Sequence, residues 1–500
     1  MTMFETRRGW FRLAAAALLA ACAAPAGATS ARAEAADTIV VDRAHPSGAL
    51  PRDFVGLSYE MRELATRCRT GTCVGGFDAS QGNLVALLRN FGRSNVRIAG
   101  NQLDRDTLWA PAGQAPPDPL PAWVQDVVTP ADITRLDGLL RATGWRAEVG
   151  VNLAHYDAAL AADEGHALTS ILGPRLAGEE CGNEPNHYAG NGYRPAPYGF
   201  AEHRADWEAC LAQLGGARIA APDLSSPKST GEWFGQFAAA EKDRIDMLTA
   251  HNYTGATTID QLLSPQIHAS ELTDVSAQLA AAKSVGVPIR LDETNSAVGG
   301  GIAGVSDVYA SALWAMDYSL TLAQAGYAGV NLHGGLGICG APLYNGKFQR
   351  YTPLCAANEE DLQAKVYRAM PEYYGLYMAT RMGSGQFLPV TVSSQNNITA
   401  YAVRGDDGRL RVAVIEKDPT TAAAVPISLQ VGGAARDASV LRLTGTSLAS
   451  ADGVAVQGGT VDRAGRLRPG PAGHVPVRHG TVRLTVPAGS AVILTLDDCA

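Results

Sequence analysis

The chain is predicted to be an α/β protein, a (β/α)8 TIM barrel followed by a C-terminal antiparallel β-sandwich. Three observations predict this fold. From about residue 54 to residue 335 short β-like runs alternate with longer helical patterns, the signature of βα units on a parallel sheet. The β-like runs number eight, the count that closes a barrel. Beyond about residue 385 the apolar pattern shortens to the alternation of half-buried strands.

In chain order, the expected barrel strands are residues 54–59, 95–98, 147–153, 175–180, 217–220, 247–250, 288–291 and 329–332. Between them, Leu84, Leu87, Leu88 and Phe91 form one apolar stripe at helical spacing, and Val275, Leu279 and Ala282 another. The segment 306–325 reads as the longest helix, and a last helix is expected over 371–382. The tail is then expected to form strands at 398–403, 410–415, 427–431, 440–443, 482–486 and 492–496, with Asp407-Gly408 turning between the first two. Residues 38–41 read as a lone strand that joins this sheet, and the Gly-, Pro- and Arg-rich stretch 458–480 as a long loop. The expected division is a leader over 1–33, the joining strand in 34–52, the barrel over 53–384 and the sandwich over 385–500.

The leader has Arg7 and Arg8 ahead of an apolar run from Leu13 to Ala23, the length of a signal-peptide core and too short to span a bilayer. Two exits fit. Ala31-Arg32-Ala33 matches a small-residue cleavage site, and Leu19-Ala20-Ala21-Cys22 resembles a lipobox that would anchor the chain through Cys22. Export to the periplasm, the medium or the envelope surface is the expectation. Shedding Arg7, Arg8, Arg12 and Arg32 with Glu5 removes a net +3, so the charge of −8 becomes −11, which argues against nucleic acid as a partner. In an oxidising compartment Cys68 with Cys73, Cys339 with Cys355, and Cys181 with Cys210 can pair, leaving Cys499 odd; the same thiols also fit as small core residues. No spacing suggests zinc, and neither metal nor cofactor is expected.

Chemistry concentrates in two segments that follow expected strands, Gly182-Asn183-Glu184-Pro185-Asn186 after the fourth and Asp292-Glu293-Thr294-Asn295 at the seventh. Barrel active sites lie at the carboxyl ends of the strands, and two carboxyls facing each other there can cut a glycosidic bond, one as acid and one as nucleophile. Glu184 and Glu293 are therefore the candidate catalytic pair, and Asn183 is placed to bind a sugar 2-hydroxyl. Glu184 has no adjacent cation in the sequence, so it is expected to hold a proton. Nothing near His251 gives it a proton-transfer role, and it reads equally as a hydrogen-bonded core histidine or as a residue of the site. Glu60, just after the first strand, is a candidate for a sugar hydroxyl.

These segments resemble glycoside hydrolase family 79, the β-glucuronidases and heparanases. Gly182-Asn183-Glu184-Pro185-Asn186 is similar to the family's acid/base motif, and Glu293-Thr294-Asn295-Ser296-Ala297-Val298-Gly299-Gly300-Gly301 to its nucleophile motif and glycine-rich loop. Val96-Arg97-Ile98-Ala99-Gly100-Asn101 is similar to its second-strand segment, which implies an arginine under the nucleophile and a sugar contact from Asn101. His251-Asn252-Tyr253 implies a phenol, Tyr253, beside the nucleophile. The resemblance further implies that a uronic carboxylate is held by amides of Gly300 and its neighbours, which can form an anion nest, and by a tyrosine of the eighth-strand loop, Tyr351 or Tyr344. Val298 departs from the family pattern, which often has tyrosine there, and this leaves a xylosidase or arabinofuranosidase specificity open. The resemblance thus implies a retaining exo-β-glucuronidase acting on a glucuronic-acid-containing glycoside or oligosaccharide. An endo-acting heparanase-like enzyme, using Arg62, Arg67 and Arg69, and a non-catalytic carbohydrate-binding protein are the alternatives.

Overall fold

The computed structural model describes residues 36–69, 72–215, 218–225, 227–341 and 349–497, with the backbone alone described at 67–69, 72–74 and 227–229. The expected leader with Cys22, Tyr344 and Cys499 all lie outside the described residues. Among those described, no helix is long and apolar enough to cross a membrane.

Eight parallel strands form the barrel: Val55–Glu60, Asn95–Ala99, Arg146–Val151, Leu176–Cys181, Ala220–Leu224, Met247–Tyr253, Ile289–Asn295 and Gly329–Gly334. They pair in chain order, and the eighth pairs with the first through Val330↔Val55 to Gly334↔Tyr59. The fourth and fifth meet at one bridge, Glu179↔Ile219, where the Glu179 N–H donates to the Arg218 carbonyl at 2.8 Å. The fifth strand lies three residues later than expected. Pro222 and Asp223 interrupt it, the register against the sixth strand shifts between Ala221 and Leu224, and a proline inside a ladder hides a strand from pattern reading.

Helices between the strands start and stop where local chemistry directs. Helix Pro130–Thr143 opens on a Thr129/Asp132 capping box with Pro130 in its first turn, and ends at Gly144 in the left-handed region. Among the described residues the longest helix is Pro265–Val285, with 21 residues, capped by Ser264; the expected one, found as Tyr309–Ala325, has 17. The misreading has a physical source. Tyr309–Ala325 is buried on every side from Tyr309 to Ala323, whereas Pro265–Val285 keeps a solvated polar face.

The C-terminal strands form two packed layers. One holds Val390–Ser393, Asp37–Val41, Val425–Gln430 and Thr481–Val486; the other holds Asp437–Thr444, Ser490–Asp497, Arg409–Glu416, Ile398–Gly405, Gly385–Leu388 and Ala49–Leu50. Asp37–Val41 does join the sheet, and it runs parallel to Val425–Gln430. The stretch expected to be one loop contains a strand, Gly473–Arg478, which pairs with Asp437–Val440 in one layer and with Thr481–Val482 in the other. Its Gly and Pro residues mask it. The second layer is buried on both faces: Ala402, Val412 and Val414 point into the sandwich, while Tyr401, Val403, Ala413 and Ile415 belong to the barrel core. Runs such as Val412–Ile415 are apolar at every position for this reason.

A buried carboxylate ties the sandwich to the barrel. Asp317, on Tyr309–Ala325, accepts from Lys417 Nζ at 2.5 Å, from the Tyr401 hydroxyl at 2.6 Å and from Thr399 Oγ1 at 2.6 Å, and lies 3.4 Å from His268 Nδ1. Burial alone would push its carboxyl up, but Lys417 and His268 hold it far below the usual range. Its stabilisation is therefore present above the unfolded-state pKa of about 4 and is lost as acid titrates the folded carboxylate. Asp317→Asn leaves Lys417 buried without its counter-charge and is expected to lower unfolding free energy by roughly 3–5 kcal/mol, measured by urea titration at neutral pH.

Candidate active site

Carboxyl ends of the barrel strands open into a cleft of about 600 Å³. Glu184 follows the fourth strand in the left-handed region, φ 48° and ψ 53°, which a non-glycine residue adopts only under constraint. The constraints are visible. Its N–H donates to the Asp223 carbonyl at 3.0 Å, and the preceding Asn183 N–H donates to Asp104 Oδ2 at 2.8 Å. Gly182, at φ 81°, has no room for a side chain, since a Cβ would stand 2.2 Å from the Tyr188 hydroxyl. That hydroxyl donates to the same Asp104 oxygen at 2.5 Å. Cys181 is bonded to Cys210 on helix Phe200–Leu211, which fixes the strand end from outside.

Glu293 lies within the seventh strand, its register partner being His251 of the sixth. Arg97 Nη1 donates to Glu293 Oε2 at 2.8 Å and the Tyr253 hydroxyl to Oε1 at 2.8 Å. Burial would raise this carboxyl, but His333, His251, Arg97 and the Tyr253 hydrogen bond hold it far below the usual range. It stays ionised. One oxygen of Glu184, one of Glu293 and a ring nitrogen of His251 all lie within 4.8 Å of one another. A cation could be gripped by such a trio, but the Arg97 guanidinium beside Glu293 opposes it.

His251 is both buried and part of the site: its Nδ1 is 2.9 Å from Glu184 Oε1, which corrects the expectation that Glu184 has no basic neighbour. The sequence hides this contact because the two residues stand 67 positions apart and meet only through barrel closure.

Of the other expected residues, Glu60, Asn101, Tyr253, Gly300 and Tyr351 line the cleft. Glu60 Oε2 accepts from the Gln102 N–H at 2.7 Å, and burial together with the Glu293 charge pushes its carboxyl up to about 8. Asn101 opens the short helix Asn101–Asp106 and is exposed. Tyr351 is buried with its ring 5.8 Å from that of Tyr253. Gly299, Gly300 and Gly301 have φ of 71°, 100° and 88°, and the Gly300 carbonyl accepts from the Arg350 N–H at 2.5 Å. Val298 is 71% exposed at the cleft. Asn183 is not brought to the cleft lining. It is buried behind Glu184, with Oδ1 held by Arg97 Nη2 at 2.9 Å and Nδ2 without a partner. Sequence reasoning missed Asp104, which shapes the Glu184 loop, and His333, 3.9 Å from Glu293 and 3.8 Å from Glu60. Only the strand-end position of His333 marked it.

Residues 400–493 match the glycosyl hydrolase family 79 C-terminal beta domain. A beta-glucuronidase of Neurospora crassa is 26% identical over 298 residues, 50% of this chain and 50% of that protein. One of Aspergillus niger is 25% identical over 281 residues, 50% of this chain and 49% of that protein. The chain thus spans about half the length of the curated relatives it matches. Among solved structures, a 4-O-alpha-L-rhamnosyl-beta-D-glucuronidase from Fusarium oxysporum 12S superposes with a TM-score of 0.72 at 20% identity, covering 92% of this chain and 100% of that one. A family 51 arabinofuranosidase from Xanthomonas axonopodis pv. citri gives 0.67 at 14% identity, covering 92% and 99%. These two likenesses concern the barrel-and-sandwich fold. The chain thus matches the family 79 C-terminal beta domain over residues 400–493 and is similar over about half its length to two beta-glucuronidases.

Proposed function

We propose that this chain is a retaining exo-β-glucuronidase that hydrolyses terminal β-linked glucuronic acid from glycosides or glycans. The observation that carries the reading is the Glu184 and Glu293 carboxyls, with oxygens within 4.8 Å of each other and unlike surroundings. Retaining glycosidases space the two groups at about 5–5.5 Å, and inverting ones leave about 6.5–9.5 Å for a water. In the first step Glu184 protonates the glycosidic oxygen while the ionised Glu293 attacks the anomeric carbon. In the second, Glu184 as base takes a proton from water, which displaces Glu293. Arg97 and Tyr253 keep the nucleophile charged and aimed.

Exo action is supported by the eighth-strand loop, which walls the cleft with Leu336, Gly337 and Ile338 and is clamped by the Cys339–Cys355 disulfide. Uronate selection is supported by the run of left-handed glycines at 299–301 and by Tyr351 beside them. For endo action the cleft would need cations along its length. Arg62 lies 3.4 Å from Asp126 and Arg105 3.2 Å from Asp106, which offsets their charge. The Cys181–Cys210 and Cys339–Cys355 bonds fit an oxidising compartment and so favour export, with release after Ala33 or anchoring at Cys22.

Glu293→Gln is expected to abolish release of the aglycone from an aryl β-glucuronide; retained turnover excludes the mechanism. Glu184→Ala is expected to slow hydrolysis of a poor leaving group by roughly 10²–10⁴-fold, with azide restoring rate as a β-glucuronyl azide. An exo enzyme yields free glucuronate from heparan oligosaccharides, and internal fragments without it contradict exo action. Glu60 is neutral below about pH 8 and gains a charge above it, facing an anionic substrate. KM is therefore expected to rise as pH passes about 8, and Glu60→Gln to flatten that rise in a pH series of initial rates.

A further inference from the structure

Beneath Glu184 and Glu293 lies a second set of acids that the mechanism above does not use. His251 Nε2, on the ring edge opposite Glu184, is buried and has no hydrogen-bond partner. It faces Asp292 Oδ2 at 3.9 Å, and Asp223, His251 and Asp292 bring one donor atom each within 4.8 Å of the others. Asp223 and Asp292 are both buried with one oxygen of each within 4.8 Å of the other, and burial pushes both carboxyls up. Arg97 decides which keeps the charge. Its Nε is 2.9 Å from Asp292 Oδ2, whereas its Nη2 is 4.0 Å from Asp223 Oδ1. Of the two, Asp292 is therefore the one whose charge the guanidinium favours, and Asp223 the one that more readily keeps a proton.

Glu184 has one oxygen against His251 Nδ1 and needs its acid proton on the other. A bare Nδ1 would instead accept that proton from Oε1 and hold it away from the substrate. An imidazolium ring carries a proton on both nitrogens and excludes this trap. Burial disfavours the ring's charge, Glu293 and then Glu184 favour it, and Arg97 and His333 oppose it, while Asp292 and Asp223 stand at its other edge.

We propose that Asp292 is a positioning residue for the acid/base step. Backed by a protonated Asp223, it keeps His251 charged, so that Nδ1–H stays on Glu184 Oε1 and the transferable proton on Oε2. The inference rests on the functional reading above. In the first step the Oε2 proton goes to the glycosidic oxygen as its bond to the anomeric carbon breaks, and the electron pair stays on the leaving oxygen. His251 neither gives nor takes a proton. The effect is confined to leaving groups that need protonation.

The test is the ratio of kcat/KM for 2,4-dinitrophenyl β-glucuronide, which departs unprotonated, to that for phenyl β-glucuronide, which does not. The ratio within one preparation does not depend on how much of it is folded. Asp292→Asn is expected to raise it by about 10–100-fold, the range typical of lost outer partners. Asp223→Asn, whose amide can donate as the protonated carboxyl does, is expected to keep the wild-type ratio whatever its absolute rate. An unchanged ratio in Asp292→Asn, or a raised one in Asp223→Asn, overturns the assignment. If wild-type protein hydrolyses neither substrate, it is the functional reading that fails.

Discussion

Arg97 is wholly buried at the base of the cleft, and its guanidinium meets Glu180 and Asp292 at 2.9 Å, Glu293 at 2.8 Å and Asp223 at 4.0 Å. One cation among four acids cannot satisfy them all as carboxylates. Burial accordingly drives Glu180, Asp223 and Asp292 upward, while Glu293, which also has the Tyr253 hydroxyl and the two histidines, is driven downward. The nucleophile role proposed for Glu293 rests on this distribution. A guanidinium suits the position because its planar fork reaches Glu180, Asn183 and Glu293 in fixed directions at once. The polar column continues toward the far end of the barrel, where Arg290 Nη1 donates to Asn331 Oδ1 at 2.7 Å and Asn331 Nδ2 to Asn95 Oδ1 at 2.8 Å.

The scaffold around this column is rigid where the site needs it. The left-handed backbone at Glu184 is held by Asp104, which accepts from Asn183 and Tyr188 and also from the Leu153 and Ala154 amides. The Glu293 strand is braced from above by Asn295, whose Nδ2 donates to the carbonyls of His333 and Tyr351 at 2.9 Å each. Further out, Asp317 binds helix Tyr309–Ala325 to the sandwich, so the sheet supports the wall of the barrel behind the seventh and eighth strands.

Much of this was legible in the sequence, and the limits are instructive. Strands show because the runs at 95–98, 247–250 and 329–332 are short, and the last two are followed by His251 and His333. The two glutamates show because each follows such a run inside a motif. What stayed hidden depends on closure: His251 on Glu184, Asp104 under the Glu184 loop, and Asp223 against Asp292 are pairings of residues far apart in the chain. The fifth strand was displaced because Pro222 breaks its pattern, and Gly473–Arg478 was lost among glycines and prolines. Asn183 read as a sugar contact, yet its side chain is turned to Arg97.

The central claim is that two carboxyls this close carry out double displacement. Proton NMR of an aryl β-glucuronide during the first minutes of hydrolysis tests it most directly, before the released sugar mutarotates. The β-anomer of glucuronic acid is expected to appear first and the α-anomer only later. Initial appearance of the α-anomer would contradict it, because inversion requires a water between carboxyls set farther apart than these.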